Sequence, residues 1–328
     1  MTASSILVGD IGGTHIRFAT ARLSDGWIIE NKQDIEQKQK SFRDTLQDYL
    51  AKLGSPCPAA ISLAVAGPVI GRAVAFTNRQ WYLTEEDLLS CGFRSALLVN
   101  DFAALALAAP HLSPQDLFSL GPKSEGQANE PLSVIGAGTG FGASMLVYKD
   151  GVASPLSCEA GHIGFAPCNE REDAVLALLR GRYGRVSVER ILSGPGLENL
   201  FWALRQLHGM APEEVDAATI MLRTEKGDAL CQHVREIFCG VYGSVAGDLA
   251  LAHGARGGVY LAGGIAQKMT NVLAESDFRK RFEDKGRLSY YVRSIPTQII
   301  TNPDATLLGA AMAVSRGTAT ANRTAAVR

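Results

Sequence analysis

Asp10, Gly12, Gly13 and Thr14 stand together where an apolar run, Ile6 to Val8, gives way to an alternating one at Ile16, Phe18 and Ala19. Strand, glycine turn, strand is a β-hairpin signature. The glycines leave backbone N–H groups uncovered and Thr14 adds a hydroxyl, a set that can cradle phosphate oxygens. Asp10 would repel a bare phosphate, and it makes sense if a hard cation such as Mg²⁺ lies between them, directly or through water. One such hairpin alone could equally be an ordinary tight turn with a capping aspartate. The pattern recurs, however, between Leu132 and Val147, where Gly138, Thr139 and Gly140 form the turn. Two phosphate-type hairpins suggest two related halves facing each other across a cleft. A third glycine pair, Gly263-Gly264, follows the apolar strand Gly258 to Ala262 and precedes a helical segment. No glycine-rich run ends in Gly-Lys-Ser or Gly-Lys-Thr, and Gly136, Gly138, Gly140 and Gly142 alternate. A P-loop and a dinucleotide fingerprint are thereby excluded.

Three further places carry groups suited to a hydroxylated substrate. Asn100-Asp101 falls where the strand Ala96 to Val99 meets the helix Phe102 to Ala109, and open α/β sheets place ligands at such strand ends. Either residue could be only a helix N-cap; beside nucleotide phosphates, Asp101 is placed to take a proton from a hydroxyl. Glu159 and His162 share a glycine-bearing loop, which suits vicinal hydroxyls needing acceptors and donors at fixed positions. Cys158, His162 and Cys168 could be read as metal ligands, but they lack a Cys-x-x-Cys pair and a fourth member. Glu189 lies in the first turn of a short helix expected from Ser187 to Gly194-Pro195, where a carboxylate is favoured by the helix dipole alone.

The elements that position these groups read as α/β. Three early strands in hairpin arrangement are followed by helix, strand, helix and strand. Phe42, Leu46, Tyr49, Leu50 and Leu53 recur at helical spacing with Gly54 closing the helix, and Ala59 to Ala66 is a buried central strand. Asn31 to Lys40 reads as a turn leading into that helix, Arg72 to Phe76 as a short strand, and Thr84 with Asp87 as a helix start. A Pro-, Ser- and Gly-rich loop from Pro110 to Pro131 separates the halves. The second half reads as the hairpin, a loop to Pro167, a helix from Glu172 to Tyr183, further helices to Gly254, the strand at 258–262 and a last helix from Ala305 to Val314. The tail from Ser315 to Arg328 is expected to fray.

Composition narrows the class. With 328 residues, 46% hydrophobic and 20% charged, the chain has the make-up of a globular protein of two domains. A formal net charge of −1, with no basic cluster interleaved with aromatics, argues against nucleic-acid or membrane-surface binding. No apolar run reaches the length of a membrane span and no leader is visible. The 6 cysteines are scattered, which fits reduced thiols in the cytoplasm.

The stretches DIGGTHIR, IGAGTGFG and LAGGI resemble the two phosphate motifs and the adenosine motif of the actin, Hsp70 and sugar-kinase superfamily. Between them TNRQW, LLVNDFAALALAAP, EAGHIGFAP, VSVERILSGPGLENL and FEDKGR are similar, in order and spacing over nearly the whole length, to the bacterial glucokinase family. The resemblance implies an α/β fold of two RNase H-like (actin-like ATPase) domains flanking a cleft. The smaller would be residues 1–110 with 300–328, the larger 111–299. It implies ATP-dependent phosphorylation of glucose to glucose 6-phosphate in the cytoplasm, with ATP and Mg²⁺ as cofactors, domain closure against water, and a homodimer. Asn100, Asp101, Glu159, His162 and Glu189 would bind glucose, Asp101 as the base. Asp10, Gly12, Gly13, Thr14, Gly138, Thr139 and Gly140 would handle phosphates and Mg²⁺, Asp10 at the metal, and Gly263 and Gly264 would flank the adenosine.

Two departures from family patterns bear on the site. Cys158 and Ala160 stand where the family commonly has glycine, which touches the shape of the sugar loop. The zinc-binding cysteine cluster of the related repressor and open-reading-frame kinase family is not reproduced, so no zinc is expected. Other readings remain. A sugar-sensing repressor would need a DNA-binding module, for which a hairpin starting at residue 6 leaves no room. An actin- or Hsp70-like ATPase would not need the polar set. A kinase for another sugar is the nearer alternative.

Overall fold

The computed structural model describes residues 5–12, 15–36, 41–54, 57–76, 81–122 and 124–314. The chain divides into two compact units, one of residues up to Leu112 with those from Asn302 onward, the other Ser113–Thr301.

In the first unit β1 (Ile6–Ile11), β2 (His15–Leu23), β3 (Trp27–Glu36) and β4 (Ala60–Val65) join β8 (Ser95–Asn100) in a sheet of order β3-β2-β1-β4-β8; β5 (Val69–Ile70), β6 (Ala73–Phe76) and β7 (Trp81–Thr84) form a small separate sheet. β1 and β2 pair antiparallel from Ile6 opposite Ala21 to Ile11 opposite Ile16, and β4 runs parallel to both β1 and β8. The unbroken apolar run of β4 follows from this central position, since Ile61, Leu63, Ala64 and Val65 are all fully buried. Helix α1 (Phe42–Leu53) starts on Ser41, whose hydroxyl accepts from the Asp44 amide, and stops at Gly54 with φ +77°. Helix α2 (Glu85–Ser90) starts on a capping box of Thr84 and Asp87. Helix α3 (Asp101–Ala108) follows β8 directly. The helix at residues 305–314 lays Leu307, Ala310 and Ala311 against Val8, Ala19 and Ala104. Gly309 permits that approach, because a β-carbon there would run into the Ala104 carbonyl.

The second unit repeats the plan. Its strands are β9 (Leu117–Leu120), β10 (Leu132–Ala137), β11 (Phe141–Lys149), β12 (Val152–Cys158), β13 (Gly258–Ala262) and β14 (Thr297–Ile300), in the order β12-β11-β10-β13-β14-β9. Its helices include α4 (Glu170–Tyr183), α5 (Gly194–Leu207), α6 (Ala217–Glu225), α7 (Ala229–His253) and α8 (Gly264–Lys268). Tyr242 of α7 lies edge-on to Phe141, Phe238 and Phe278 at centroid distances of 6.0, 6.0 and 5.7 Å, pinning α7 to the start of β11.

Several expectations need correction. Asn31 to Glu36 is not a turn but the second half of β3, an edge strand whose polar residues need satisfy only one neighbour. The segment from Pro110 to Pro131 contains β9, and the one before Pro167 contains β12; β12 tolerates Pro155 because it too is an edge. Gly194-Pro195 does not end a helix: it opens α5, where proline's missing N–H costs nothing and Ser193 caps by accepting from Gly196. Residues 37–40 of the supposed turn, Thr77 to Gln80 of TNRQW and the tail from Ser315 lie outside the described residues.

Candidate active site

In the first unit the chemistry gathers at the ends of β1 and β8. Asp10 and Arg17 are cross-strand partners, and the carboxylate Oδ2 lies 2.5 Å from the guanidinium. Arg17 also donates to the Pro303 carbonyl at 2.6 Å, tying the hairpin to the start of the C-terminal segment. The Gly12 amide donates to the His15 carbonyl at 3.0 Å; Gly13 and Thr14 lie outside the described residues.

At the end of β8 the two candidates for the helix cap are told apart. Asn100 is the N-cap: its Oδ1 accepts from the Ala103 amide at 3.1 Å. Its Nδ2 donates to the Gly67 carbonyl at 3.2 Å and to Asp101 Oδ1 at 3.0 Å. Asp101 is the first helical residue, and Oδ1 also accepts from the Phe102 amide at 2.9 Å. The carboxylate is therefore oriented by its neighbours while the cap is supplied by another side chain. β8 is a sheet edge, and Glu85 serves it: this buried carboxylate accepts from the Leu98 amide at 3.0 Å and pairs with Arg72 at 2.5 Å.

In the second unit one residue, Phe141, joins three pieces. It follows the Gly138-Thr139-Gly140 turn, whose Gly138 amide donates to the Gly140 carbonyl at 2.8 Å. Its own amide donates to Glu189 Oε2 at 2.8 Å. A β-carbon on Gly161 would run into its carbonyl, so the sugar-loop candidate packs there. Glycine is required at 161, whereas Ala160 is accommodated as a buried side chain. At Gly140 a β-carbon would stand 2.5 Å from Glu189 Oε2, so a side chain there would push the Glu189 carboxylate aside. Gly263, at φ +87°, lays its turn on the end of β10, where a β-carbon would be 2.7 Å from the Ala137 carbonyl. Gly264 starts α8.

Glu159 and His162 bracket a 3₁₀ turn, Ala160–His162, and both are exposed. The His162 amide donates to the Glu159 carbonyl at 3.0 Å, and Arg185 donates to the His162 carbonyl at 2.7 Å. Ile163 and Phe165 bond Val188 and Val186, so the loop runs beside the 3₁₀ turn Val188–Arg190 that carries Glu189. Beyond the loop, buried Glu172 accepts from the Cys168 amide at 2.9 Å and from both terminal nitrogens of Arg281 at 2.7 and 3.1 Å. Burial, and secondarily the Glu159 charge, push the Cys158 thiol above its ordinary range against a hydrogen bond from the Ala160 backbone. That leaves the thiol protonated and unreactive at neutral pH.

Among the described residues no group of three or more His, Cys, Asp or Glu side chains could hold a metal ion, and no helix is long and apolar enough to cross a membrane. Arg17 carries no motif of its own in the sequence, although hairpin register pairs it with Asp10. The Glu189–Phe141 contact spans 48 residues and has no local signal.

Comparisons with known proteins identify the family and the fold. A family model described as Glucokinase matches residues 7–317. The glucokinase of Caulobacter sp. (strain K31) is 47% identical over 313 residues, 94% of each chain. A crystal structure of a glucokinase from an Antarctic psychrotroph superposes with a TM-score of 0.87 at 34% identity, covering 95% of this chain and 99% of that one. The Balamuthia mandrillaris glucokinase, at 20% identity and TM-score 0.78, covers 96% of this chain and 94% of its own and shares the fold. The chain belongs to the glucokinase family, mixed α/β enzymes with two β-sheet domains that phosphorylate glucose.

Proposed function

We propose that the chain transfers the terminal phosphoryl group of ATP to the 6-hydroxyl of glucose with Asp101 as general base. The observation that carries this is the division of labour at the end of β8. Asn100 caps α3, so Asp101 is spared that duty, and its carboxylate is oriented by Asn100 Nδ2 and the Phe102 amide. A primary alcohol is a poor nucleophile at neutral pH, and a positioned carboxylate removes its proton as the new P–O bond forms. Asn100, Glu159, His162 and Glu189 hold the sugar hydroxyls, the acids accepting and the imidazole and amide able to donate.

The Gly138-Thr139-Gly140 turn suits phosphate because Gly138 has no side chain to cover its backbone. At the Gly263-Gly264 pair, Gly263 lets the turn lie on β10 while Gly264 leaves open space for the adenosine. Asp10, Gly12, Gly13 and Thr14 complete the phosphate contacts. Asp10, whose Oδ2 is paired with Arg17, would meet Mg²⁺ directly or through water. ATP with Mg²⁺ supplies the activated phosphoryl group and neutralises its charge. A homodimer, on family likeness, belongs to this reading and is checked by sedimentation equilibrium. The experiment for the reaction is a coupled assay of ADP formation across a sugar panel. Glucose should be the best substrate, because polar groups set for its hydroxyls are left unpaired by other sugars. Faster turnover of fructose or N-acetylglucosamine would refute it.

A further inference from the structure

The segment from Glu189 to Gly194 holds the second glycine turn at both ends. At one end the Glu189 carboxylate accepts from the Phe141 amide at 2.8 Å; at the other the Gly194 amide donates to the Gly138 carbonyl at 2.8 Å. Between them the Ser193 hydroxyl donates to the Glu189 carbonyl at 2.7 Å and accepts from Gly196, so the segment is braced on the start of α5. The turn itself has no side chain at Gly138 or Gly140 to fix it. Gly140 sits against Glu189, with room for no β-carbon: Oε2 would be 2.5 Å away and Oε1 4.0 Å. The Gly138–Gly140 and Gly194–Gly138 backbone bonds close the turn, and its exit into β11 is fixed by where the Glu189 carboxylate stands, with Oε2 committed to the Phe141 amide and Oε1 directed farther from the turn.

We propose that Glu189 is a positioning residue for the phosphate turn as well as a sugar ligand, and that it makes sugar and nucleotide binding interdependent. The inference rests on the reading of Glu189 as a sugar ligand. A hydroxyl donating to Oε1 fixes the carboxylate, the fixed carboxylate holds the Phe141 amide, and the turn is set before nucleotide arrives. Linkage makes the effect reciprocal: bound nucleotide must tighten glucose by the same factor.

The test is calorimetric titration of MgADP with and without saturating glucose, and of glucose alone, on the full chain and on the Glu189→Gln and Gly140→Ala variants. Wild type should bind MgADP at least about fivefold more tightly with glucose present, the lower end of ordinary coupling. In Glu189→Gln, which keeps the shape of the side chain, glucose should weaken and the coupling ratio fall to within about twofold of one. Gly140→Ala changes no sugar contact, yet it should weaken glucose as well as MgADP by displacing Glu189. A wild-type ratio near one, or an unchanged ratio in Glu189→Gln despite weaker glucose binding, overturns the coupling and leaves the sugar reading standing. Unchanged glucose affinity in Glu189→Gln removes Glu189 from the sugar site and the coupling with it. A purely structural role would lower the melting temperature of Glu189→Gln and leave the ratio alone.

Discussion

The two sheets share one plan and are loaded differently. In each, three antiparallel strands precede two parallel ones in the same order, β3-β2-β1-β4-β8 in the first unit and β12-β11-β10-β13-β14 in the second. In the first hairpin the carboxylate is on the strand, Asp10, and is neutralised across the ladder by Arg17. In the second the equivalent strand has no acid, and the carboxylate arrives from Glu189 to hold a backbone amide. The fifth strands differ too: β8 ends in Asn100-Asp101 at a helix start, whereas β14 ends in Ile300 and Thr301. Position in a sheet makes a strand end available, and the residue there decides what it does.

The sharpest way to break this contrast is Asp101→Asn. If the end of β8 carries the base, kcat should fall roughly 10²–10⁴-fold while glucose still binds and the protein melts cooperatively. If Asp101 only starts a helix, turnover should be nearly unchanged, because the cap belongs to Asn100. Single-turnover rates and a melting curve for this variant separate the outcomes. Asn100→Ala then sharpens the point, since it should cost about 0.5–2 kcal/mol of stability through the lost cap and raise the KM for glucose.

Arg17→Met tests the other difference, at the hairpins. It leaves Asp10 a part-buried carboxylate with its charge uncompensated. The expected result is a KM for MgATP raised about tenfold, equivalent to about 1.4 kcal/mol, with a smaller change in KM for glucose. A kcat/KM for MgATP equal to wild type would show that the pair serves the hairpin alone.

What the sequence makes legible follows the range of the forces involved. The hairpins, the Thr84 capping box and the close of α1 at Gly54 are decided within a few residues, and they are where the sequence places them. β9 pairs only with β14, Thr297 opposite Leu120 across 177 residues, and β14 lies between β9 and β13, so neither short strand has a local signature. Gly194-Pro195 reads as a helix end from sequence and is a helix start in the fold, because the same pair serves either role and Ser193, as N-cap, decides it. Candidate site residues are legible where glycine and acid types stand out. The groups that hold them, Arg17, Glu85 and the Glu172–Arg281 pair, are ordinary charged residues whose meaning comes from tertiary partners.

The smallest expected effect concerns a buried position where the two sheets again differ. Leu7 of β1 is fully buried; at the matching place in β10 stands Ser133, equally buried, with its hydroxyl 2.6 Å from His253 Nδ1 at the end of α7. Burial lowers the pKa of His253 below its ordinary value of 6.5. The folded ring therefore stays neutral at a pH where the unfolded chain already takes a proton. With more protons bound when unfolded, stability rises with pH across that window. The contribution is complete above about pH 6.5, the ordinary histidine value, and is lost as pH falls through the lower folded value. His253→Gln should flatten this acid limb of a melting-temperature profile between about pH 5 and 8 and leave kcat unaltered. Ser133→Ala should destabilise by about 1–2 kcal/mol, the cost of leaving the ring nitrogen unpartnered. An acid limb as steep in His253→Gln as in wild type would assign the loss to other groups and reduce the Ser133–His253 contact to packing.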